Sequence, residues 1–282
     1  MLELPLHPQV TLLKSHPCGL LAVDKATNIR AHPNTRHQVD PEAAVLAPYD
    51  LEEECFYYTD SAGCAHKLHL LNRLDSATSG VLLLALEETV ARKVRALFEE
   101  QRVKKTYFAL VKGRPPAIPN LWTDRLQRTH SGNGHKIKIT AATNRLEQTG
   151  QYAKTKIDYL GTDQQQLNLS LLRLMPITGR THQLRVQCAK RGFPIAGDRQ
   201  YGDFAFNRQI AHTANLKRLC LHAQAIQLHF NLNGRKIKFS ARSPLPEVFL
   251  QLFPVRKDSD NTTNQPAKKQ SPGRGHRRRR VI

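Results

Sequence analysis

The sequence has few aromatic residues and no long apolar run, and both shortages restrict what the protein can be. Only 6% of its 282 residues are aromatic, and one of them is tryptophan. The longest apolar run, residues 81–86, is far shorter than the roughly 20 residues that cross a bilayer. Residues 1–10 contain a glutamate, a histidine and two prolines, which is unlike a signal peptide. We therefore expect a protein that is not in a membrane and that stays in the cytoplasm.

Acidic residues are also scarce relative to basic ones. The chain has 23 Asp and Glu against 43 Lys and Arg, which leaves a formal net charge of +20. Such an excess predicts a polyanionic partner, of which an RNA or DNA backbone is the commonest. The alternative is a basic protein whose charge serves only its solubility.

Cysteines are few, and they do not form the spacings of known metal or disulfide motifs. There are five, at positions 18, 55, 64, 188 and 220, and none belongs to a Cys-x-x-Cys pair. An odd, scattered set indicates free thiols in a reducing compartment. A zinc site made of Cys55, Cys64, His66 and His69 is conceivable, but strand-like residues separate these ligands, so we expect no metal. The sequence also has no phosphate-binding glycine loop and no nucleophile elbow.

The most informative segment is residues 70–86, in which Arg73 and Asp75 lie between two apolar runs. If residues 68–74 form a strand, its period of two places both charged side chains on one face. Residues 78–80 then supply a turn before a buried strand at 81–86. A charged pair between core strands is expensive to desolvate, so it is either a structural ion pair or part of a functional site. The pattern alone leaves both interpretations open.

Elsewhere the patterns predict a chain of many strands and few helices. Residues 33–66 are expected to be an irregular, partly acidic surface segment, and residues 181–191 fit either a strand or a helix. The tight turns are predicted at 131–134 and at Asn233-Gly234. Strands are predicted at residues 19–25, 104–111, 136–140, 152–160, 167–175, 219–230 and 235–240, and helices at 87–102 and 246–253.

The character of the sequence changes at residue 255. Residues 255–282 contain nine Lys and Arg against two Asp, end in four consecutive arginines before the last two residues, and have almost no apolar residues. This composition predicts a disordered basic tail that binds phosphates without sequence preference, although it could also be a solvated terminus with no function. The tail carries +7, so the rest of the chain still carries +13.

The segment Asn72-Arg73-Leu74-Asp75-Ser76-Ala77-Thr78-Ser79-Gly80 resembles the His-Arg-Leu-Asp-x-x-Thr-Ser-Gly signature of RluA-type RNA pseudouridine synthases. Three further segments resemble that family in the same order: the strand at 104–111, the Gly-Arg-Thr-His-Gln-Leu-Arg stretch at 179–185 with the Gly-Asp and Tyr-Gly that follow it, and Leu-His-Ala at 221–223. The resemblance covers residues 10–253. It implies an α+β fold with a mixed, largely antiparallel sheet flanked by helices, and a helix at 181–191. We divide the chain into a catalytic domain, residues 1–254, and the tail, residues 255–282.

The resemblance also implies the activity, which is isomerisation of specific uridines in rRNA or tRNA with no cofactor. A catalytic role falls to Asp75, Arg185 and Tyr107. Arg185, with Arg180 as the second candidate, keeps Asp75 charged, and Tyr107 stacks on the flipped uracil. Substrate-binding roles fall to Arg73, Arg180 and Leu221. Arg73 fills the gap left by the flipped base, Arg180 binds phosphate or holds its loop, and Leu221 forms a wall of the pocket. We expect a monomer that acts on RNA.

The chain departs from the family pattern at one position beside this site. Asn72 stands where the family has histidine, and asparagine can form hydrogen bonds but does not titrate near neutral pH. We expect the change to be tolerated because the position is outside the Asp–Arg pair. The rival interpretation is a basic RNA-binding protein that has kept the fold but lost catalysis.

Overall fold

The structure, a computed structural model, describes residues 3–33, 38–115, 120–130, 137–141 and 150–253. The basic tail and the predicted turn at 131–134 lie outside these ranges. Within them, none of the helices has the length and apolar character that a membrane span requires.

Thirteen strands form one sheet in the described part of the chain. They are β1 Val10–Ser15, β2 Leu20–Lys25, β3 Tyr49–Asp50, β4 Cys55–Thr59, β5 Ala65–Leu70, β6 Ser79–Ala85, β7 Lys104–Lys112, β8 Asn120–His130, β9 Ile137–Ala141, β10 Gln151–Thr162, β11 Leu169–Pro176, β12 Leu221–Leu232 and β13 Arg235–Arg242. The main path runs β3-β4-β5-β6-β12-β7-β11-β10-β8-β9, with β2 also on β6 and β13 also on β12. All these pairs are antiparallel except β6 with β12, so the expected mixed, largely antiparallel sheet is confirmed.

Four helices pack on this sheet: α1 Glu88–Glu99, α2 Gln183–Lys190, α3 Phe204–Thr213 and α4 Glu247–Leu252. Helix α1 buries Val90, Val94 and Leu97 against strands β2, β6, β12 and β13. The helices α2, α3 and α4 contribute to a second cluster around β7 and β11. Hydrophobic burial against helices thus covers two regions of the sheet, one around β6 and β12 and one around β7 and β11.

Several elements form where the local sequence predicts them. Helix α1, strand β7 and the α2 helix agree with the expectations for 87–102, 104–111 and 181–191. The β12–β13 hairpin turns at Asn233 and Gly234, whose φ angles of 48° and 75° are those of a tight hairpin turn. Asparagine and glycine tolerate this left-handed backbone best, which is why this turn can be recognised from sequence.

The expectation for residues 33–66 is wrong. This segment contains β3, β4 and the start of β5, and it contributes buried side chains at Ala43, Ala44, Val45, Tyr49 and Phe56. The two residues of β3 are too few to show a period of two, and burial along the five residues of β4 does not alternate. Their burial comes from tertiary packing in one cluster with β2 and β6.

The prediction of a strand at 68–74 is also wrong, because β5 ends at Leu70. Asn72 explains the ending, since its Oδ1 accepts a hydrogen bond at 2.8 Å from the backbone N–H of Leu83 on β6. The side chain of Asn72, and not a backbone carbonyl, thereby accepts the hydrogen bond from this N–H of β6. The turn also lies earlier than predicted: the Thr78 N–H donates to the Asp75 carbonyl at 2.9 Å, and Ser79 already belongs to β6.

Gly80 allows β6 and β12 to meet beside this turn. Its φ is +115°, and a Cβ at this position would lie 2.2 Å from the carbonyl oxygen of Ala223. Only glycine fits such a close approach of two backbones. The contact brings Leu221 and the Asp75 turn to the same end of the sheet.

Candidate active site

A cleft of about 270 Å³ lies between residues 71–78, the start of β7 and the loop that leads into α2. All six side chains singled out from the sequence line it. They are Arg73, Asp75, Tyr107, Arg180, Arg185 and Leu221. The chain folds residues separated by more than a hundred positions into one site.

The turn that carries Asp75 is held from below by β2 and the residues after it. The Lys25 ammonium is fully buried and donates to the carbonyl oxygens of Ala26, Ile29 and Ser76 at 2.7–3.1 Å. Thr27 Oγ1 donates to the Ala77 carbonyl at 2.8 Å. Burial lowers the pKa of Lys25 to about 7, although the charge of Asp75 opposes this effect. These contacts fix the turn backbone.

Arg185, in the first turn of α2, connects two carboxylates. Its Nη1 donates to Asp75 Oδ2 at 2.9 Å, so the contact expected between these residues, 110 positions apart, is present. Its Nε and Nη2 donate to the two oxygens of Asp198 at 2.8 and 2.9 Å in a bidentate fork. Among the described residues, Asp75 Oδ1 has no hydrogen-bond partner. One carboxylate oxygen therefore remains available to a molecule in the cleft.

The charges of this group are stabilised by one another. Burial alone lowers the pKa of Arg185, but the two carboxylates raise it above its usual value. Burial likewise raises the pKa of Asp198, but hydrogen bonds from Arg185 and from the backbone hold it below its usual range. Arg185 and Asp198 are therefore both ionised near neutral pH.

Tyr107 and Leu221 form the apolar side of the cleft. Tyr107 lies on β7, opposite Ala223 of β12, and Leu221 is buried at the start of β12. Burial, and next to it the charge of Asp75, raise the pKa of the Tyr107 hydroxyl. The phenol is therefore neutral near pH 7 and presents a flat ring beside a carboxylate.

Three further cations surround the mouth of the cleft. Arg73 is exposed and forms no ion pair within the described ranges, so a structural pair with Asp75 is not present. Arg180 donates from Nε to the Tyr152 carbonyl at 3.3 Å, which holds its loop beside β10. Lys105 donates to the Thr178 carbonyl at 3.3 Å, and burial lowers its pKa to about 8. The cleft is thus electropositive apart from Asp75.

The sequence interpretation assigns no role to Asp198, His182 or Tyr201, which lie at or just behind the cleft wall. His182 Nε2 is 3.7 Å from Asp75 Oδ2, and its Nδ1 is 2.8 Å from the Tyr201 hydroxyl. His182 takes the N-cap position of α2 with φ +53°. The one signal in the sequence that could have pointed to them is a titratable histidine inside the family motif.

The residues considered for zinc have other neighbours or meet only in pairs within the described ranges. His66 pairs with Asp60 at 2.7 Å, and Cys55 faces His69 across β4 and β5. The described ranges contain no group of three His, Cys, Asp or Glu side chains that could hold a metal ion.

Known proteins resemble this chain in sequence and in fold. Residues 20–190 match the sequence profile of the RNA pseudouridylate synthase family. The chain is 33% identical over 177 residues to the ribosomal large subunit pseudouridine synthase C of Haemophilus influenzae, and 33% identical over 178 residues to that of Escherichia coli K12. These matches cover 63% of this chain and 52% and 53% of the relatives, so the chain spans about half the length of the curated relatives it matches.

Two solved human structures share the fold. The chain superposes on the human RNA pseudouridylate synthase domain containing 1 with a TM-score of 0.61 at 23% identity, covering 85% of this chain and 86% of the other. For domain containing 4 the TM-score is 0.57 at 21% identity, with coverage of 85% and 90%. The profile match spans more than half of the sequence and includes Asp75, Tyr107 and Arg185. The chain therefore belongs to the RNA pseudouridylate synthase family.

Proposed function

We propose that the protein isomerises specific uridines in RNA to pseudouridine. The reaction breaks the N1–C1′ bond, turns the uracil and joins C5 to C1′, while the C5 proton leaves and N1 gains a proton. No atom is oxidised and no group is added, so the chemistry requires no cofactor. The protein must supply an anion at the sugar or base, a pocket that retains the freed uracil, and groups that replace it in the RNA stack.

The observation that carries this proposal is the environment of Asp75. Its carboxylate is 28% exposed within the cleft, one oxygen accepts from Arg185, and the other is without a partner in the described structure. A binding module has no need for a desolvated carboxylate facing a polyanion, because that charge opposes binding. We assign Asp75 as the catalytic residue and Arg185 as the cation that binds and orients its carboxylate.

The remaining roles follow from position in the cleft. Tyr107 stacks on the flipped uracil, and Leu221 closes the pocket behind it. Arg73, which is exposed at the mouth, enters the gap that the base leaves in the RNA. Arg180, in the loop before α2, binds a phosphate. The neutral ring and the cations are the groups that suit a base and its backbone respectively.

Ribosomal RNA of the large subunit is the substrate class that the bacterial relatives favour, since both are named for that activity. Transfer RNA remains the second class to test. We propose a monomeric cytoplasmic enzyme with one catalytic domain, residues 1–254, followed by a basic tail, residues 255–282. The net charge of +20 supports an RNA partner for both parts.

The experiment that tests this function is release of tritium from RNA labelled at uracil C5, because pseudouridine formation expels that hydrogen. Large-subunit rRNA and total tRNA are offered separately, and the modified position is mapped in whichever RNA reacts. We expect release from one class and a new pseudouridine at a defined uridine. Tight binding of both classes without release or mapped pseudouridine would favour the RNA-binding protein that has lost catalysis.

A further inference from the structure

Tyr201 and His182 form a hydrogen-bonded pair beside Asp75. The Tyr201 hydroxyl and His182 Nδ1 are 2.8 Å apart, and their rings meet edge to face with centroids 5.5 Å apart. His182 lines the cleft, whereas Tyr201 does not. Tyr201 can therefore influence the cleft only through the side chains it contacts.

The backbone of His182 is held in a conformation that few residues adopt. Its φ and ψ are 53° and 17°, which is the left-handed region, at the N-cap of α2. A non-glycine residue in this region is strained unless its surroundings hold it there, and such positions cluster at functional sites. The imidazole gives α2 no capping hydrogen bond. The conformation instead directs the ring toward Asp75.

Two cationic or potentially cationic groups thus share the same oxygen of Asp75. Arg185 Nη1 lies 2.9 Å from Oδ2 and His182 Nε2 lies 3.7 Å from it. Burial lowers the pKa of His182, Arg185 lowers it further, and the Asp75 and Asp198 carboxylates oppose this effect. A neutral imidazole can still donate one hydrogen bond, and its direction depends on the tautomer.

Asp198 anchors both groups. It is 1% exposed, holds Arg185 through the bidentate fork, and accepts the Tyr201 backbone N–H at 3.0 Å. Arg185 also lies over the Tyr201 ring, with its guanidinium carbon 5.1 Å from the ring centroid. The buried Asp198 carboxylate therefore holds in place both Arg185, which contacts Asp75 directly, and Tyr201, which contacts it through His182.

We propose that Tyr201 is a positioning residue of the proposed reaction. Its hydroxyl donates to His182 Nδ1 and selects the tautomer that carries the proton on Nε2. That N–H, 3.7 Å from Asp75 Oδ2, attracts the carboxylate electrostatically and, with the hydrogen bond from Arg185, holds it so that Oδ1 faces the substrate. This role rests on the proposed function, because it concerns the orientation of the proposed catalytic carboxylate.

The first test measures kcat and KM for tritium release in Tyr201→Phe, which removes the hydroxyl and keeps the ring against Arg185. We expect kcat to fall by about 2- to 12-fold, as for loss of one neutral hydrogen bond, with KM unchanged. The matched control is Tyr57→Phe, which removes a hydroxyl bonded to Glu53 at 2.8 Å where neither residue lines the cleft, and which should keep the parent kcat.

The same change is then made in a His182→Asn background. Asparagine tolerates the left-handed backbone, but its shorter side chain cannot bridge Tyr201 and Asp75. Without the imidazole, Tyr201→Phe should have no further effect on kcat. An equal fall of kcat in both backgrounds, a parental kcat in Tyr201→Phe, or a change confined to KM would each overturn the proposal.

The second test does not depend on activity. Nitrogen-15 spectra of labelled histidine, with the His182 signals identified by their loss in His182→Asn, report which ring nitrogen is protonated. We expect Nε2–H in the parent and a shifted or mixed tautomer in Tyr201→Phe. An Nδ1–H tautomer in the parent would refute the tautomer assignment. Failure of the proposed function would instead appear as absence of tritium release from the parent protein itself.

Discussion

Replacing Arg185 with lysine removes a planar fork from the centre of the cleft while keeping its charge. Arg185 makes three charge-assisted hydrogen bonds, two to Asp198 and one to Asp75. An ammonium is a point charge that cannot reach both carboxylates in this geometry, so at least one of them loses its partner. Each such bond is worth about 1.5–3 kcal/mol.

The expected effect on catalysis follows from that figure. If the bond to Asp75 is lost, kcat should fall by about 10- to 150-fold. Loss of the fork on buried Asp198 should also lower stability by roughly 3 kcal/mol, or about 6–12 °C in Tm, because a buried carboxylate is left poorly paired. Tritium release at saturating RNA gives kcat, and thermal unfolding gives Tm.

The matched control for this substitution is Arg173→Lys. Arg173 also pairs with an aspartate, Asp158, but on the exposed surface of β10 and β11, and it does not line the cleft. Exposed pairs contribute little, so both kcat and Tm should stay close to the parent values. If Arg185→Lys retained the parent kcat, or lost no more activity than the control, the account of Arg185 would be refuted.

Three further outcomes follow from the structure. Gly80→Ala should destabilise the protein by about 3 kcal/mol or more in denaturant unfolding, because the added Cβ would meet the Ala223 carbonyl. The control is Gly63→Ala, also at positive φ (+82°) but with no atom within 4 Å of the added Cβ, and it should lower the free energy of unfolding by less. Equal losses in the two variants would contradict the packing argument. Truncation of residues 255–282 should weaken RNA binding and keep kcat at saturating RNA. In a plot of log binding constant against log salt concentration, the slope should become shallower by roughly 0.7–0.9 for each phosphate that the tail no longer neutralises. Identical slopes for the full-length and truncated proteins would mean that the tail does not contact RNA. The pKa of Lys25 is lowered to about 7 in the folded protein, so the unfolded chain binds more protons between pH 7 and the ordinary lysine pKa of 10.5. The free energy of unfolding should therefore rise with pH in this range relative to that of Lys25→Met. The same pH dependence of this free energy in both proteins would contradict the lowered pKa.

The elements that sequence patterns predict correctly are those whose signal is local. Helix α1 has a full apolar stripe, and the β12–β13 hairpin has Asn233-Gly234 at its turn. The predicted end of β5 lies too far along the chain, because the true ending depends on a side-chain bond from Asn72 to another strand. The strands within residues 33–66 escape prediction because they are short and acquire their burial from distant parts of the chain.

The candidate site is predictable only through the family resemblance. Nothing local relates Asp75 to Arg185, since they lie 110 residues apart and meet only when α2 packs beside the Asp75 turn. Roles for Asp198 and Tyr201 cannot be assigned from sequence because their effect depends on side-chain direction behind the cleft wall. Such directions are set by packing and hydrogen bonding, which composition and periodicity do not reveal.

The central claim is that Asp75 carries the chemistry, and Asp75→Asn tests it most directly. Asparagine keeps the shape of the side chain and an oxygen that can accept from Arg185, but it removes the anion. We expect tritium release from C5-labelled RNA to fall by more than about 10³-fold, while the RNA Kd and Tm stay near the parent values. Release at a rate close to that of the parent would contradict the assignment of Asp75 and the mechanism built on it.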